Sequence, residues 1–321
     1  MDETLAAARR GDNAAFEALV APYHADLRAH CYRMLGSVHD ADDALREALS
    51  GAWRGLAGHE GRASLRSWLY RVTTSACLRL GGRRRRRILA TEYAPPRTTA
   101  GDLGTPITDA AFVEPYPTDP ADRYELLESV ELAFVAALQH LPGSQRAVLI
   151  LREVLAFSAE EVAVLLGTTV PAVNSAMQRA LAALRERGPA VSQQRNLAAL
   201  GERGRAELVG AFVDAWQRAD GPALLDLLVA DARFTMPPLP AWFEGREQVG
   251  DFLRERLFIA PWRLLPVHAN GQLAFACYRD SALAALNVLT VRDGKIEEIS
   301  GFADPAMFDR FDLPTSLPPD R

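Results

Sequence analysis

Apolar positions recur at helical spacing through the first 87 residues. In "DNAAFEALVAPYHADLRAHCYRML", Phe16, Leu19, Val20, Tyr23 and Leu27 share one face, which predicts an amphipathic helix ending at Gly36. Ser37 followed by Asp40 is an acidic variant of the capping box and opens a second helix, roughly Val38 to Leu56. The loop "GHEGRAS" leads to a third, from Ser64 to about Leu80. The periodicity then stops. Residues 88–122 are rich in Pro, Gly, Thr and Asp and read as a linker. Within it, "FVEPYP" sets Phe112, Val113 and Tyr116 around Pro115 and Pro117. A spacer gains nothing from exposed aromatics, so this segment is expected to dock.

Helical spacing resumes over 123–190. Ser158 and Glu161 form an S-x-x-E capping box, Val162, Leu165 and Leu166 give a buried face, and Gly167 ends the helix. After "TTV" a second helix starts near Pro171. It turns Val173, Met177, Ala180, Leu181 and Leu184 inward and Asn174, Ser175, Gln178 and Arg179 outward. This is the helix-turn-helix plan, an outline it shares with ordinary helical hairpins; the outward side chains suit base edges. Residues 197–313 change character. The helical stretches "AELVGAFVDAWQRA", "GPALLDLLV" and "GREQVGDFLRERLF" are joined by strands "ARFTMPP", "WRLLPVHA", "QLAFACYR", "LAALNVLTVR" and "KIEEISGFA". Asn270-Gly271 and Asp293-Gly294 are two-residue hairpin signals. The expected fold class is multidomain. Two all-α domains, a helical bundle (1–87) and a helix-turn-helix domain (123–190), precede an α+β domain (197–313) whose curved antiparallel meander packs on helices.

Composition narrows the function. The chain has 321 residues, 49% of them hydrophobic, and a net charge of −5. It has no run long enough to span a membrane and no secretory leader, so a cytoplasmic protein without membrane contact is expected. Cys31, Cys77 and Cys277 lack the spacing of a zinc knuckle or disulfide framework and read as buried thiols. The six histidines lack metal-ligand spacing, and no phosphate loop, dinucleotide fingerprint, nucleophile elbow or H-E-x-x-H occurs. No catalytic residue, metal or cofactor is therefore expected. Residues 1–190 hold 22 arginines against 23 acids, so any nucleic-acid footprint must come from clustering. Such a cluster exists: Arg62, Arg66, Arg71 and Arg79 interleave with Trp68 and Tyr70, and Arg83, Arg84, Arg85, Arg86 and Arg87 follow in a run. Arginine supplies phosphate contacts and an exposed Trp can stack on an unpaired base. Alone, that helix reads more simply as a core Trp beside a solvated arginine face; with a second DNA module on a tether, nucleic acid is the stronger reading.

These residues resemble a known family. "CYRMLGSVHDADDALREALSGAWRGLAGHEGRASLRSWLYRVTTSACLRL" is similar to the promoter-melting domain of extracytoplasmic-function (ECF) sigma factors, and "LQHLPGSQRAVLILREVLAFSAEEVAVLLGTTVPAVNSAMQRALAALRER" to their second DNA-binding domain. The last region, ending "VRDGKIEEISGFADP", is similar to SnoaL-like cyclases of the cone-shaped nuclear-transport-factor-like fold. A subset of these sigma factors carries such an extension, with a Pro-aromatic linker motif like "FVEPYP". The resemblance implies a transcription initiation factor that binds core RNA polymerase (β′ clamp helices, β flap) and promoter DNA. It implies that Asp40, Asp42, Asp43, Arg46 and Glu47 dock on the clamp helices. His59, Arg62, Arg66, Trp68, Arg71, Ser75 and Arg79 would meet the −10 element, where a base is flipped out of the stack. Arg83 to Arg87 would hold the DNA backbone, and Pro171, Asn174, Ser175, Gln178 and Arg179 would read the −35 element. Arg46 stands where Gln is common, and His59 where an aromatic often sits. Ser75 stands where Asn is usual and Leu181 where a second recognition-helix arginine is common, so promoter binding is expected to be weaker than in a typical member.

The cone fold implies an apolar pocket, with Trp216, Phe234, Met236, Trp242, Phe243, Tyr278 and Phe302 as candidate walls. Three roles compete for this domain. It regulates sigma activity in cis, with a small-molecule ligand left open; or it is a dimerisation module; or it is an enzyme using Asp231, His268, Tyr278 and Asp280. In the last case the chain would be a cyclase- or isomerase-like enzyme targeted to DNA or polymerase. Regulation is the favoured expectation.

Overall fold

The computed structural model describes residues 2–58, 64–108, 111–119 and 124–318. The first helices begin and end where side chains satisfy the backbone. After α1 (Asp2–Arg9), the Asp12 side chain accepts the Ala15 N–H and starts α2 (Asn13–Val20). One helix was expected across 13–35. Instead the chain makes a tight turn at Ala21–Tyr23, because Pro22 has no N–H to continue the ladder, and α3 runs separately over His24–Leu35. Gly36 ends α3 at φ 68°, and a Cβ there would lie 3.1 Å from the Gln139 side chain. The Ser37 hydroxyl accepts from Asp40 N–H to open α4 (Val38–Gly55), and Ser64 does the same for α5 (Leu65–Gly81). Leu27, Cys31, Tyr32, Leu69, Tyr70 and Cys77 fill the centre of this bundle.

Two short strands, β1 (Arg87–Ile88) and β2 (Ala111–Phe112), pair in the linker, and α6 (Tyr124–Glu128) follows. Next come α7 (Leu132–Gln139), α8 (Gly143–Leu149) with a widened turn at Ile150–Val154, α9 (Ala159–Leu166) and α10 (Val170–Arg187). The capping box at Ser158 and Glu161 is formed on both sides, Gly167 closes α9 at φ 62°, and Thr169 caps α10.

The last region holds α11 (Gln193–Gln217), broken at Gly201, then α12 (Gly221–Asp226), β3 (Leu228–Thr235), β4 (Trp242–Glu244) and α13 (Arg246–Phe252). It continues with β5 (Trp262–Ala269), β6 (Gln272–Arg279), β7 (Ala282–Arg292), β8 (Lys295–Phe302) and α14 (Pro305–Phe308). The strands form one six-stranded sheet in the order β4-β3-β8-β7-β6-β5. The expected meander is thus only part of the sheet: β3 pairs parallel with β8, because the α13 segment carries the chain away before β5 begins. Both glycine hairpin turns have the expected positive φ values, and Asp280-Ser281 makes a third such turn without glycine. Phe212, Trp216, Phe234, Phe252 and Phe275 anchor the core between helices and sheet.

The chain divides into two compact units, residues 1–87 with 133–188 and residues 88–132 with 189–321. The segment read as a linker therefore packs with the C-terminal region, and the two helical regions pack with each other. Among the described residues no helix is long and apolar enough to cross a membrane.

Candidate nucleic-acid interface and linker dock

In the helical unit the two halves are pinned by buried polar contacts. Arg146 donates to the carbonyls of Leu138 (2.8 Å), Gln139 (3.1 Å) and Leu141 (3.0 Å), to Gln139 Oε1 (2.6 Å) and to the carbonyl of Met34. Burial lowers its pKa to about 10, so the guanidinium stays charged. Gln139 donates in turn to the Arg33 carbonyl at 3.2 Å. Arg66, expected on DNA, donates to the Leu155 carbonyl at 2.9 Å and lies 4.3 Å from the centre of the Phe157 ring.

The residues assigned by resemblance to the −10 element are divided. Arg71, Ser75 and Arg79 lie one turn apart on α5 and line one wall of a cleft of about 470 Å³. Its other wall is the end of α9, Val164 to Gly167. Ser75 Oγ donates back to the Arg71 carbonyl (2.8 Å), and Arg79 pairs with Glu47 (2.8 Å). Trp68 is not exposed: at 5% accessibility it is core, because α5 turns it inward beside Leu69 and Tyr70. Stacking on an unpaired base is closed to it in this conformation. His59 and Arg62 lie outside the described residues.

Asp40, assigned by resemblance to the clamp-helix contact, is only 6% exposed and takes Arg87 (2.7 Å) and Arg84 (3.5 Å). Its position in the first turn points it at the end of α5 instead of solvent. The arginine run is therefore partly internal. Arg83 and Arg85 are exposed, Arg86 contacts His140, and Arg87 is half-buried on Asp40. Asp42 pairs with Arg28 at 2.7 Å, while Asp43 and Arg46 form an exposed pair at 2.8 Å. On α10, Pro171, Asn174, Ser175, Gln178 and Arg179 are all exposed, because the opposite residues Val173, Ala176 and Ala180 are buried.

In the other unit, "FVEPYP" is held by the β5–β6 hairpin. Phe112, Val113, Glu114, Pro115 and Tyr116 are buried, with Pro117 half-buried. Asn270 at the turn accepts the Tyr116 N–H on Oδ1 (2.8 Å), donates its own N–H to the Tyr116 carbonyl (2.8 Å) and donates Nδ2 to the Val130 carbonyl (2.7 Å). Pro117 bridges to Ala269, and Thr118 N–H donates to the His268 carbonyl (3.2 Å). Gln272 Oε1 accepts from Leu132 N–H (2.9 Å). Glu131 takes the Gln194 N–H (2.9 Å) at the first turn of α11; burial, strengthened by Glu128, raises its pKa to about 7. Further upstream, Trp242 Nε1 donates to the Ala94 carbonyl (2.6 Å), Arg97 N–H to the Trp242 carbonyl (2.7 Å) and Ile107 N–H to the Pro238 carbonyl (2.9 Å). Sequence reasoning found the docking aromatics and missed their receptor. Asn270 was legible only as a turn residue, and Glu131 and Gln272 carried no local signal.

The domain has a cavity of about 490 Å³, and Trp216, Phe234 and Met236 line it. Trp242, Phe243, Tyr278 and Phe302 do not. Strand alternation turns Cys277 and Gly301 to the cavity and their neighbours Tyr278 and Phe302 away, where Tyr278 donates its hydroxyl to the Pro314 carbonyl (2.8 Å). Phe243 stacks on Phe252 instead. The residues of the acid–base reading are scattered: Asp231 pairs with Arg292, His268 is exposed, Asp280 is in a turn, and none lines the cavity.

Comparison with known proteins matches this division. Family models match for Sigma-70 region 2 over residues 19–87, Sigma-70 region 4 over 131–184 and a SnoaL-like domain over 209–299. The ECF RNA polymerase sigma factor SigG of Mycobacterium tuberculosis strain H37Rv is 38% identical over 323 aligned positions, covering 96% of this chain and 86% of that one. The probable ECF RNA polymerase sigma factor SigI of M. tuberculosis is 27% identical over 304 positions, covering 90% and 95%. The crystal structure of the M. tuberculosis extracytoplasmic function sigma factor SigJ superposes with a TM-score of 0.59 at 23% identity, over 92% of this chain and all of that one.

Proposed function

The chain belongs to the ECF RNA polymerase sigma factors, and from that premise we propose that it is a self-restrained member whose C-terminal domain governs initiation by gripping the linker. As a transcription initiation factor it binds core polymerase and promoter DNA. In the finer reading, Asp43, Arg46 and Glu47 contribute the exposed part of the clamp-helix contact and the β flap receives the region 4 half. Arg71, Ser75 and Arg79 meet the −10 element, with exposed arginines of the 83–86 run on the backbone. The α10 face reads the −35 element in the major groove.

A length argument supports restraint. The element names place −10 and −35 about 25 base pairs apart, ~85 Å of B-DNA at ~3.4 Å per pair. A compact unit of ~140 residues has a radius of gyration of only ~15 Å. The two DNA-reading halves must therefore separate to engage both elements, which breaks the Arg66 and Arg146 contacts. The connecting segment, residues 88–132, reaches ~150 Å when extended, but only once released. The observation that carries the proposal is its docking on the Asn270 turn from Tyr116 to Val130.

The test is promoter-specific transcription in vitro with purified core polymerase. Asn270→Ala, which removes two side-chain hydrogen bonds to the linker, and deletion after about Gly201 are each expected to change transcription at least several-fold. Unchanged output and promoter choice with both variants would overturn cis-regulation while leaving the sigma assignment intact.

A further inference from the structure

The cavity in the C-terminal domain has the chemistry of a binding site. Its walls are mostly apolar, from Trp216, Phe234, Phe252 and Trp262 among others. At about 490 Å³ it would hold about sixteen waters at ~30 Å³ each, within the usual range for organic ligands. Trp216 is 2% exposed, and its ring is wedged against Phe212, Phe234 and Phe258. Yet its indole N–H has no hydrogen-bond partner among the described residues. That nitrogen is sealed by the aromatic packing and does not open onto the cavity. The charged lining residues are Arg256 and Arg279, with no carboxylate to balance them; Arg279 lies 5.5 Å from the Trp262 ring centre. Exposed Ile259 and Ala303 lie on the lining as well.

The linker supplies part of this wall. Leu103 lines the cavity, and Arg256 donates to the carbonyls of Ala100 (2.8 Å) and Gly101 (2.6 Å). Gly104, at φ 77°, passes so close to Pro240 that a Cβ would lie 2.6 Å from its ring. From these observations we propose that the cavity binds a predominantly apolar, ring-bearing organic anion, with its charge toward Arg256 and Arg279 and the docked linker as one wall. Binding and linker docking then favour each other, since each completes the other's site. Only this last consequence rests on the cis-regulatory reading.

The test uses the full chain and two fluorescent probes that differ by one charged group, 1-anilinonaphthalene-8-sulfonate and uncharged N-phenyl-1-naphthylamine. The anion is expected to bind saturably at one site per chain, at least tenfold tighter than the uncharged probe. Ala303→Trp, at an exposed lining position where it does not disturb the core, is expected to abolish binding. Gly104→Ala, outside the cavity, is expected to weaken binding by displacing Leu103. Equal affinity for the two probes, or wild-type binding in Ala303→Trp, would overturn the site. Wild-type binding in Gly104→Ala would overturn the linker's part in it. Neither measurement involves transcription, so an unregulated promoter assay beside intact binding would sink only the cis-regulatory reading.

Discussion

Glu131 offers the sharpest quantitative test of the linker dock. It is almost fully buried, accepts the Gln194 N–H at 2.9 Å and has Glu128 as a like-charged neighbour. The N–H groups of α11 favour its charged form, but burial outweighs them and raises its pKa from 4.5 to about 7. The folded state therefore holds this proton more tightly than the unfolded chain. Its stabilising contribution is complete below pH 4.5 and is lost as pH rises through about 7. At ~1.4 kcal/mol per unit, the shift corresponds to about 3 kcal/mol. Glu131→Gln keeps an acceptor for Gln194 and removes the titration. Amide exchange in the first turn of α11, compared between wild type and variant at each pH, cancels the intrinsic pH dependence of exchange. Protection is expected to be equal at pH 4.5 and about 100-fold greater in the variant at pH 8. A ratio within threefold at pH 8, or greater protection in the wild type, would refute the reasoning.

Other perturbations follow from the same geometry. His30, buried with Nε2 2.9 Å from Thr74 Oγ1 and Nδ1 without a partner among the described residues, has its pKa lowered to about 3 by burial and then by Arg33. Its contribution is present above pH 6.5 and lost toward pH 3, the opposite sense to Glu131, so the helical unit should lose about 3 kcal/mol between pH 6.5 and 4. A His30→Gln variant should flatten the acid limb of its unfolding curve in circular dichroism. Arg146→Ala strands several buried carbonyls and should cost the helical unit ~3–5 kcal/mol in denaturant melts, with Arg146→Lys recovering less than half because an ammonium cannot reproduce the planar fork. Ser75→Asn and Leu181→Arg should each tighten promoter binding by holoenzyme, by about tenfold in a filter-binding titration at fixed salt; no gain from either would show that these positions do not limit affinity.

Much of the architecture was legible locally. Ser37 and Ser158 opened helices as their caps predicted, Gly36 and Gly167 closed them, and Asn270-Gly271 and Asp293-Gly294 turned hairpins, because each signal is a bond between residues close in sequence. The two quoted stretches likewise carried the resemblance to the sigma family, which the family models and relatives bear out. What the sequence could not decide is which face of each element meets what. Trp68 and Asp40 read as functional groups and are buried, one in the bundle core and one beneath Arg84 and Arg87, 44 and 47 residues away. Tyr278 and Phe302 read as pocket walls and lie on the other side of their strands. The aromatic linker announced that it would dock, but its receptor, Asn270, is 154 residues from Tyr116. Such pairings depend on loop closure and packing over the whole chain, so no local pattern encodes them; only the tertiary structure shows that the linker belongs to the C-terminal unit and walls its cavity.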